Sequence, residues 1–378
     1  MPKTPRLAAI DGLRLVAALA VAAYHLTVSW RVDGVHPPAW FLPTASRYTV
    51  YGFLGVELFF LISGFVICMS AWERPLGAYF ASRVSRLYPA YWAGVVVTTL
   101  VVLALPITGG VPVTGLPDLP GLATNLTMLQ QPLGVPPVDT VYWTLFVELR
   151  FYLLFAVVVW AGTTYRRVVL FCAIWLTVAV LAPAWQLPVV ELVAVPAYAP
   201  YFVAGMAMYL IHRFGPTPLL HGIVGMAWLV AMARLGPRLT DIHPGFPVPT
   251  WPGYLLVSVC FVVMLTIAHG RADRVQWRWL TVAGALTYPF YLLHQRIGYA
   301  LIRTAYQITH APAWLLIISA FLVVGLLAWL VHRYVERPLT PVLRAALTRS
   351  IETARGRPPV LGDHPAELIS SSVPAGRR

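Results

Sequence analysis

The stretch Ala313-Trp-Leu-Leu-Ile-Ile-Ser-Ala-Phe-Leu-Val-Val-Gly-Leu-Leu-Ala-Trp-Leu-Val-His332 holds twenty residues without one Asp, Glu, Lys or Arg. As an α-helix it rises about 30 Å, the thickness of the hydrocarbon layer of a bilayer, and it has no polar face to turn toward water. The bilayer is therefore the solvent of this segment. Outward from it the same pattern recurs, broken by charged or Pro/Gly-rich links. The runs predict about ten spans, at roughly 12–30, 51–70, 88–106, 141–161, 168–185, 194–211, 218–235, 252–269, 280–300 and 313–332. The predicted fold is all-α, a polytopic transmembrane helical bundle. One integral membrane domain covers 1–350, followed at 351–378 by a disordered tail rich in Pro, Gly, Ser and Arg.

Composition agrees. A chain of 378 residues that is 59% hydrophobic and 11% charged is not an ordinary soluble protein. Its 14 Trp and 18 Tyr, many near the ends of apolar runs, suit an interface that is apolar on one side and wet on the other. A net charge of +13 raises nucleic acid as a partner, but the arginines lie in short links between spans and in the tail, with no separate basic domain. That distribution sets topology and excludes a nucleic-acid partner. One set of links and termini carries nineteen Lys and Arg, the other six, so the positive-inside rule puts both termini in the cytoplasm of a multi-pass protein of the plasma (inner) membrane. The basic N-terminus resembles the start of a signal peptide, but the run behind it carries Asp11, Arg14 and His25 and no small-residue cleavage site, so it reads as a retained first helix. Cys68, Cys172 and Cys260 all fall inside apolar runs, which predicts neither a disulfide framework nor a metal site. Residues 107–140 form a Gly/Pro-rich outer link without Lys or Arg, readable as a lid, an access surface for a substrate, or a plain spacer.

Ionisable groups inside spans are expensive, so each is a functional candidate. Arg14 and His25 are eleven residues apart, close to three turns, and share one face of the first span at heights about 16 Å apart. Ala18, Val21 and Ala22 between them leave room for a thin ligand or a neighbouring backbone, and Asp11 can pair with Arg14. Glu148 enters from the outer side about 10 Å below the start of its helix, with Thr144 and Tyr152 on its face and Arg150 turned away. This puts His25 and Glu148 at comparable depth, where they can form a base and its orienting carboxylate; a histidine merely bonded between helices is the alternative. Arg83 and Arg86, three apart at the cytoplasmic end of the third span with Pro89 in its first turn, can grip phosphates or simply anchor the helix.

Together these segments resemble acyltransferase family 3, integral membrane proteins that O-acylate cell-surface sugars, peptidoglycan and some secreted metabolites. The resemblance lies in Ile10-Asp-Gly-Leu-Arg14 with His25, Gly52-Phe-Leu-Gly-Val-Glu-Leu-Phe-Phe-Leu-Ile-Ser-Gly-Phe65, and the Arg83/Arg86 segment with its Tyr-Pro-Ala-Tyr-Trp continuation. Trp143 with Glu148 and Phe151-Tyr152, Tyr288-Pro-Phe-Tyr-Leu-Leu-His294, and Val335-Glu-Arg-Pro338 complete it, in family order. It implies a membrane O-acyltransferase with His25 as catalytic base, Glu148 as active-site acid, and Arg14, Arg83 and Arg86 on the donor. Tyr201, His294, Trp143 and Tyr152 are implied as candidates for an acyl relay or acceptor contact. The implied donor is acyl-CoA, acetyl-CoA above all, with no tightly bound cofactor. The implied acceptor is a hydroxyl of an envelope glycan, glycolipid or glycosylated metabolite. Arg150 stands where many relatives have Gln, and Gln295-Arg296 replace an apolar or Pro-containing continuation. Some relatives append an extracytoplasmic hydrolase-like domain, which is not expected here.

Two other classes compete. Intramembrane Arg, His and Glu also mark the pathways of secondary transporters, but those usually show repeated halves and no repeat is evident. A lipid-binding structural protein would explain the basic face and not the polar groups at depth.

Overall fold

The computed structural model describes residues 7–241 and 248–354. Among these the chain is helical, with no strand. The long helices are α1 (Ala8–Thr27), α2 (Gly55–Ala71), α3 (Leu76–Ala104), α4 (Trp143–Ala161), α5 (Tyr165–Trp185), α6 (Ala199–Phe214), α7 (Pro218–Asp241), α8 (Trp251–Ala268), α9 (Arg278–Thr309), α10 (Ala313–Val331) and α11 (Arg337–Ala354). The first ten match the predicted spans. Among the described residues, nine helical segments are long and apolar enough to cross a bilayer. The exception is α9, whose apolar run is broken by His294, Gln295, Arg296 and Arg303. All four are buried, so the surrounding protein and not lipid receives their polarity. Leucines, valines and tryptophans cover the outside instead, among them Leu103, Val157, Trp160, Leu322 and Leu326.

The bundle is built around α6, in which every residue from Ala199 to Ile211 is buried. A helix apolar on all sides has no face for solvent and belongs in the interior. Its contact with α2 depends on two glycines. A Cβ at Gly64 would sit 2.2 Å from the Phe202 carbonyl oxygen, and one at Gly205 2.1 Å from that of Leu61. Lipid provides no hydrophobic drive between helices, so such close backbone approach carries the association. The helices run parallel, since Phe60 meets Phe202 and Phe65 meets Tyr209. In the same way α1 runs parallel to α9, with Asp11 over Gly284 and Leu26 over Gly298. Both pairs have the directions that ten alternating spans require.

Two expectations need correction. The third helix begins at Leu76, twelve residues before the predicted start, because its first turns are helix-compatible but too polar to register as a span. Pro89 therefore lies inside α3 and not in its first turn. The predicted tail also begins late: residues 351–354 belong to α11, and 355–378 lie outside the described residues.

The 107–140 link is docked back onto the bundle. Tyr88, Tyr91 and Trp92 of α3 donate to the carbonyls of Thr127, Asn125 and Leu126. The Asn125 side chain donates to Gly121 and Pro136 and accepts from the Val138 N–H. Arg296 and Arg303 of α9 reach the carbonyls of Gly115, Val138 and Gly109.

Candidate active site

Where α1, α2, α3, α4 and α9 converge, a cavity of about 350 Å³ opens toward the arginine-rich end. Each of these helices lends it polar side chains that it could not turn toward lipid. Arg14 comes from α1, Ser63 from α2, Arg83 and Arg86 from α3, Glu148 and Tyr152 from α4, and Tyr288 and Tyr291 from α9. Arg14 pairs with Asp11 at 3.5 Å, as its spacing predicts. Arg83 donates to the Ser82 hydroxyl at 3.0 Å, and its buried Nε has no acceptor. Arg86 pairs with Glu336, whose second oxygen accepts from His332 Nδ1 at 2.9 Å, and its guanidinium lies 5.9 Å from the centre of the Tyr288 ring. Glu148 accepts from the Ser63 hydroxyl, and Tyr152 lines the cavity beside it.

His25 has a different partner from the one expected. Its Nδ1 stands 2.8 Å from Nε2 of His294, and Nδ1 of His294 stands 2.7 Å from the Tyr291 carbonyl oxygen. A carbonyl only accepts, so His294 Nδ1 carries the hydrogen and, in a neutral ring, Nε2 is the acceptor. His25 Nδ1 must then donate, which leaves His25 Nε2 as a free lone pair. The second histidine thus selects the basic tautomer of the first. His294 is fully buried, whereas His25 keeps partial exposure.

Glu148 is not the orienting group, and the comparable depth read from span lengths does not hold. Because α4 runs antiparallel to α9, Thr140 meets Gln295 and Thr144 meets Tyr291, at 2.5 and 2.9 Å. Glu148 lies one turn inward of Thr144 and His294 one turn outward of Tyr291, which separates them by roughly 10 Å along the axis. The cause is the docked link, which starts α4 well inside the level that α3 reaches. Glu148 belongs with the arginines, and Tyr291 stands between the cavity and the histidine pair. Beyond that pair a polar chain continues from Ser29 to Tyr299 at 2.8 Å and from Tyr299 to Gln295 at 3.2 Å.

Of the other candidates, Tyr152 lines the cavity, while Trp143 and Tyr201 do not. Trp143 packs on Tyr198, ring centres 5.3 Å apart, and Tyr201 is buried 6.1 Å from the Phe261 ring. Arg150 turns away as predicted and donates to the Leu192 carbonyl at 2.9 Å. Ser63 and Glu336 lie inside motifs that the sequence displays, so a signal for them existed; Thr340 and Arg344, which also line the cavity, had none.

The family model described as "Acyltransferase domain", that of acyltransferase family 3, matches residues 7–333. The chain belongs to acyltransferase family 3. Acyltransferase MdmB of Streptomyces mycarofaciens is 28% identical over 90% of this chain and 94% of its own. Peptidoglycan O-acetyltransferase OatA of Listeria monocytogenes is 34% identical over a shorter stretch, 24% of this chain and 13% of that protein. No solved structure matches. This family 3 member is therefore a membrane-embedded acyltransferase. Its arginine cavity and histidine pair lie in the matched region, apart from the contributions of Glu336, Thr340 and Arg344.

Proposed function

We propose that the protein is an O-acyltransferase that takes an acyl group, acetyl in the first instance, from cytoplasmic acyl-CoA. It passes the group to a hydroxyl of a sugar-containing acceptor presented from the outer side of the plasma membrane. The observation that carries this reading is the His25–His294 pair, a base whose tautomer is held by its neighbour, beyond the inner end of an arginine-lined cavity. The positive-inside distribution supports a cytoplasmic mouth, and the name of OatA supports an oxygen acceptor and an acetyl donor.

In this reading Arg83 and Arg86 hold phosphate oxygens at the mouth, where a guanidinium fork suits them better than a lysine point charge. The thin pantetheine arm then lies along the cavity past Arg14 and Glu148, and the thioester reaches His25 once the Tyr291 side chain swings aside. His25 Nε2 removes the proton of the acceptor hydroxyl as its oxygen bonds to the thioester carbon. The C–S bond breaks, and the thiolate leaves with the proton that the imidazolium returns. His294 accepts from His25 Nδ1 throughout and stays neutral.

Detergent-purified protein given acetyl-CoA and candidate acceptors should release free thiol in step with acceptor acylation, without any ion gradient. His25→Ala should abolish this while still binding CoA, since a general base is typically worth about 10²–10⁴ in rate. An active His25→Ala enzyme would overturn the assignment. Mass spectrometry of envelope glycans and exported metabolites, from cells with and without the gene, identifies the acceptor.

A further inference from the structure

The cavity mouth carries more positive charge than the protein neutralises. Arg14 and Arg86 have the carboxylate partners described above, but two further arginines have none among the described residues. Arg83 is bonded only to Ser82 and leaves its buried Nε unpaired. Arg344 reaches the mouth from α11, exposed and without an ion pair. Arg74, in the link between α2 and α3, lies within electrostatic reach of both. Beside them the Thr340 hydroxyl, also from α11 and lining the same cavity, is buried with no partner.

Guanidinium groups gathered without counter-charge repel one another and focus a positive potential on the cavity they line. A buried Nε and a buried hydroxyl without partners each carry a desolvation cost that a ligand's oxygen atoms would remove. Both features call for a polyanion at the mouth with more than one phosphate group.

On the donor reading given above, we propose that α11 builds the subsite for the 3′-phosphate of coenzyme A, with Arg344 as its main contact and Thr340 and Arg74 beside it. The enzyme thereby selects a free CoA thioester over an acyl group carried on protein-bound phosphopantetheine. The order of groups along the cavity supports this. The thioester must point inward to His25, so the nucleotide end stays at the mouth, where Arg344 is exposed and, unlike Arg86, has no carboxylate partner among the described residues. A protein-bound phosphopantetheine offers the same arm but only one phosphodiester and no ribose phosphate. Arg83 and Arg86 would suffice for it, and Arg344 would be left without an anion.

Calorimetric titration of the full-length protein in detergent, with CoA and with 3′-dephospho-CoA, tests the subsite without needing an acceptor. Wild type should bind CoA at least about tenfold more tightly, the scale of one charge-assisted phosphate contact. Arg344→Ala should lose about that factor toward CoA and change by less than about twofold toward 3′-dephospho-CoA, so that the preference collapses. Arg344→Lys should keep part of it. An unchanged thermal midpoint confirms that the exposed substitution leaves the fold intact. If wild type binds both nucleotides equally, or Arg344→Ala weakens both equally, the subsite is refuted while the donor reading stands. If wild type binds neither, the donor reading fails and the subsite with it.

Discussion

His294→Leu is the perturbation that tests how the site is wired. The substitution removes the acceptor 2.8 Å from His25 Nδ1 and leaves that N–H inside the bundle with nothing to donate to. An unsatisfied buried donor costs about 1–3 kcal/mol, and His25 escapes that cost by turning or by moving its proton to Nε2. Either escape removes the lone pair from the acceptor. At about 1.4 kcal/mol per factor of ten, kcat should fall roughly 10- to 100-fold. On the proposed donor reading the KM for acyl-CoA should hold, because His294 does not line the arginine-rich cavity. His294→Gln should restore much of the rate, since an amide carbonyl can accept from Nδ1 and an amide N–H can still reach the Tyr291 carbonyl. Combining His294→Leu with His25→Ala should be no slower than His25→Ala alone, because the pair acts as one unit. The assay is single-turnover thiol release at saturating acyl-CoA. Full activity in His294→Leu, or losses that multiply in the double variant, would refute the tautomer argument.

Two further expectations follow. Glu148→Gln should slow the enzyme independently of the histidines. With roughly 10 Å between the sites, its loss and that of His294→Leu should multiply to within about a factor of two in the same assay. Gly205→Ala should lower the thermal midpoint in detergent and cost about 3 kcal/mol or more, because its new methyl meets the backbone of α2 and not a side chain that can swing aside.

Much of the membrane architecture can be read from residues in order. Ten apolar runs become ten long helices because a helix in lipid must satisfy its own backbone and present hydrocarbon outward, a requirement local to each segment. The first turns of α3 carry Ser82, Arg83, Ser85 and Arg86, too polar to register as a span, so a reading based on hydropathy passed over them. Arg14 and Glu148 were visible as candidates because a charge in such a segment needs a reason, and Arg83 and Arg86 because they stand three apart on one face at the end of a span.

Pairing is another matter. The spacing of Arg14 and His25 is fixed by one helix and is sound, but the depth of Glu148 relative to His25 depends on where α4 starts. That is set by the 107–140 link, which Tyr88, Tyr91, Trp92, Arg296 and Arg303 hold against the bundle through long-range hydrogen bonds. His294 lies 269 residues from His25 and meets it only because α1 and α9 pack in parallel at the register set by Gly284 and Gly298. Sequence alone determined which side chains are too costly to sit in lipid; the tertiary structure decided which of them meet, because helix register and the docking of a distant link are properties of packed surfaces that no single segment contains.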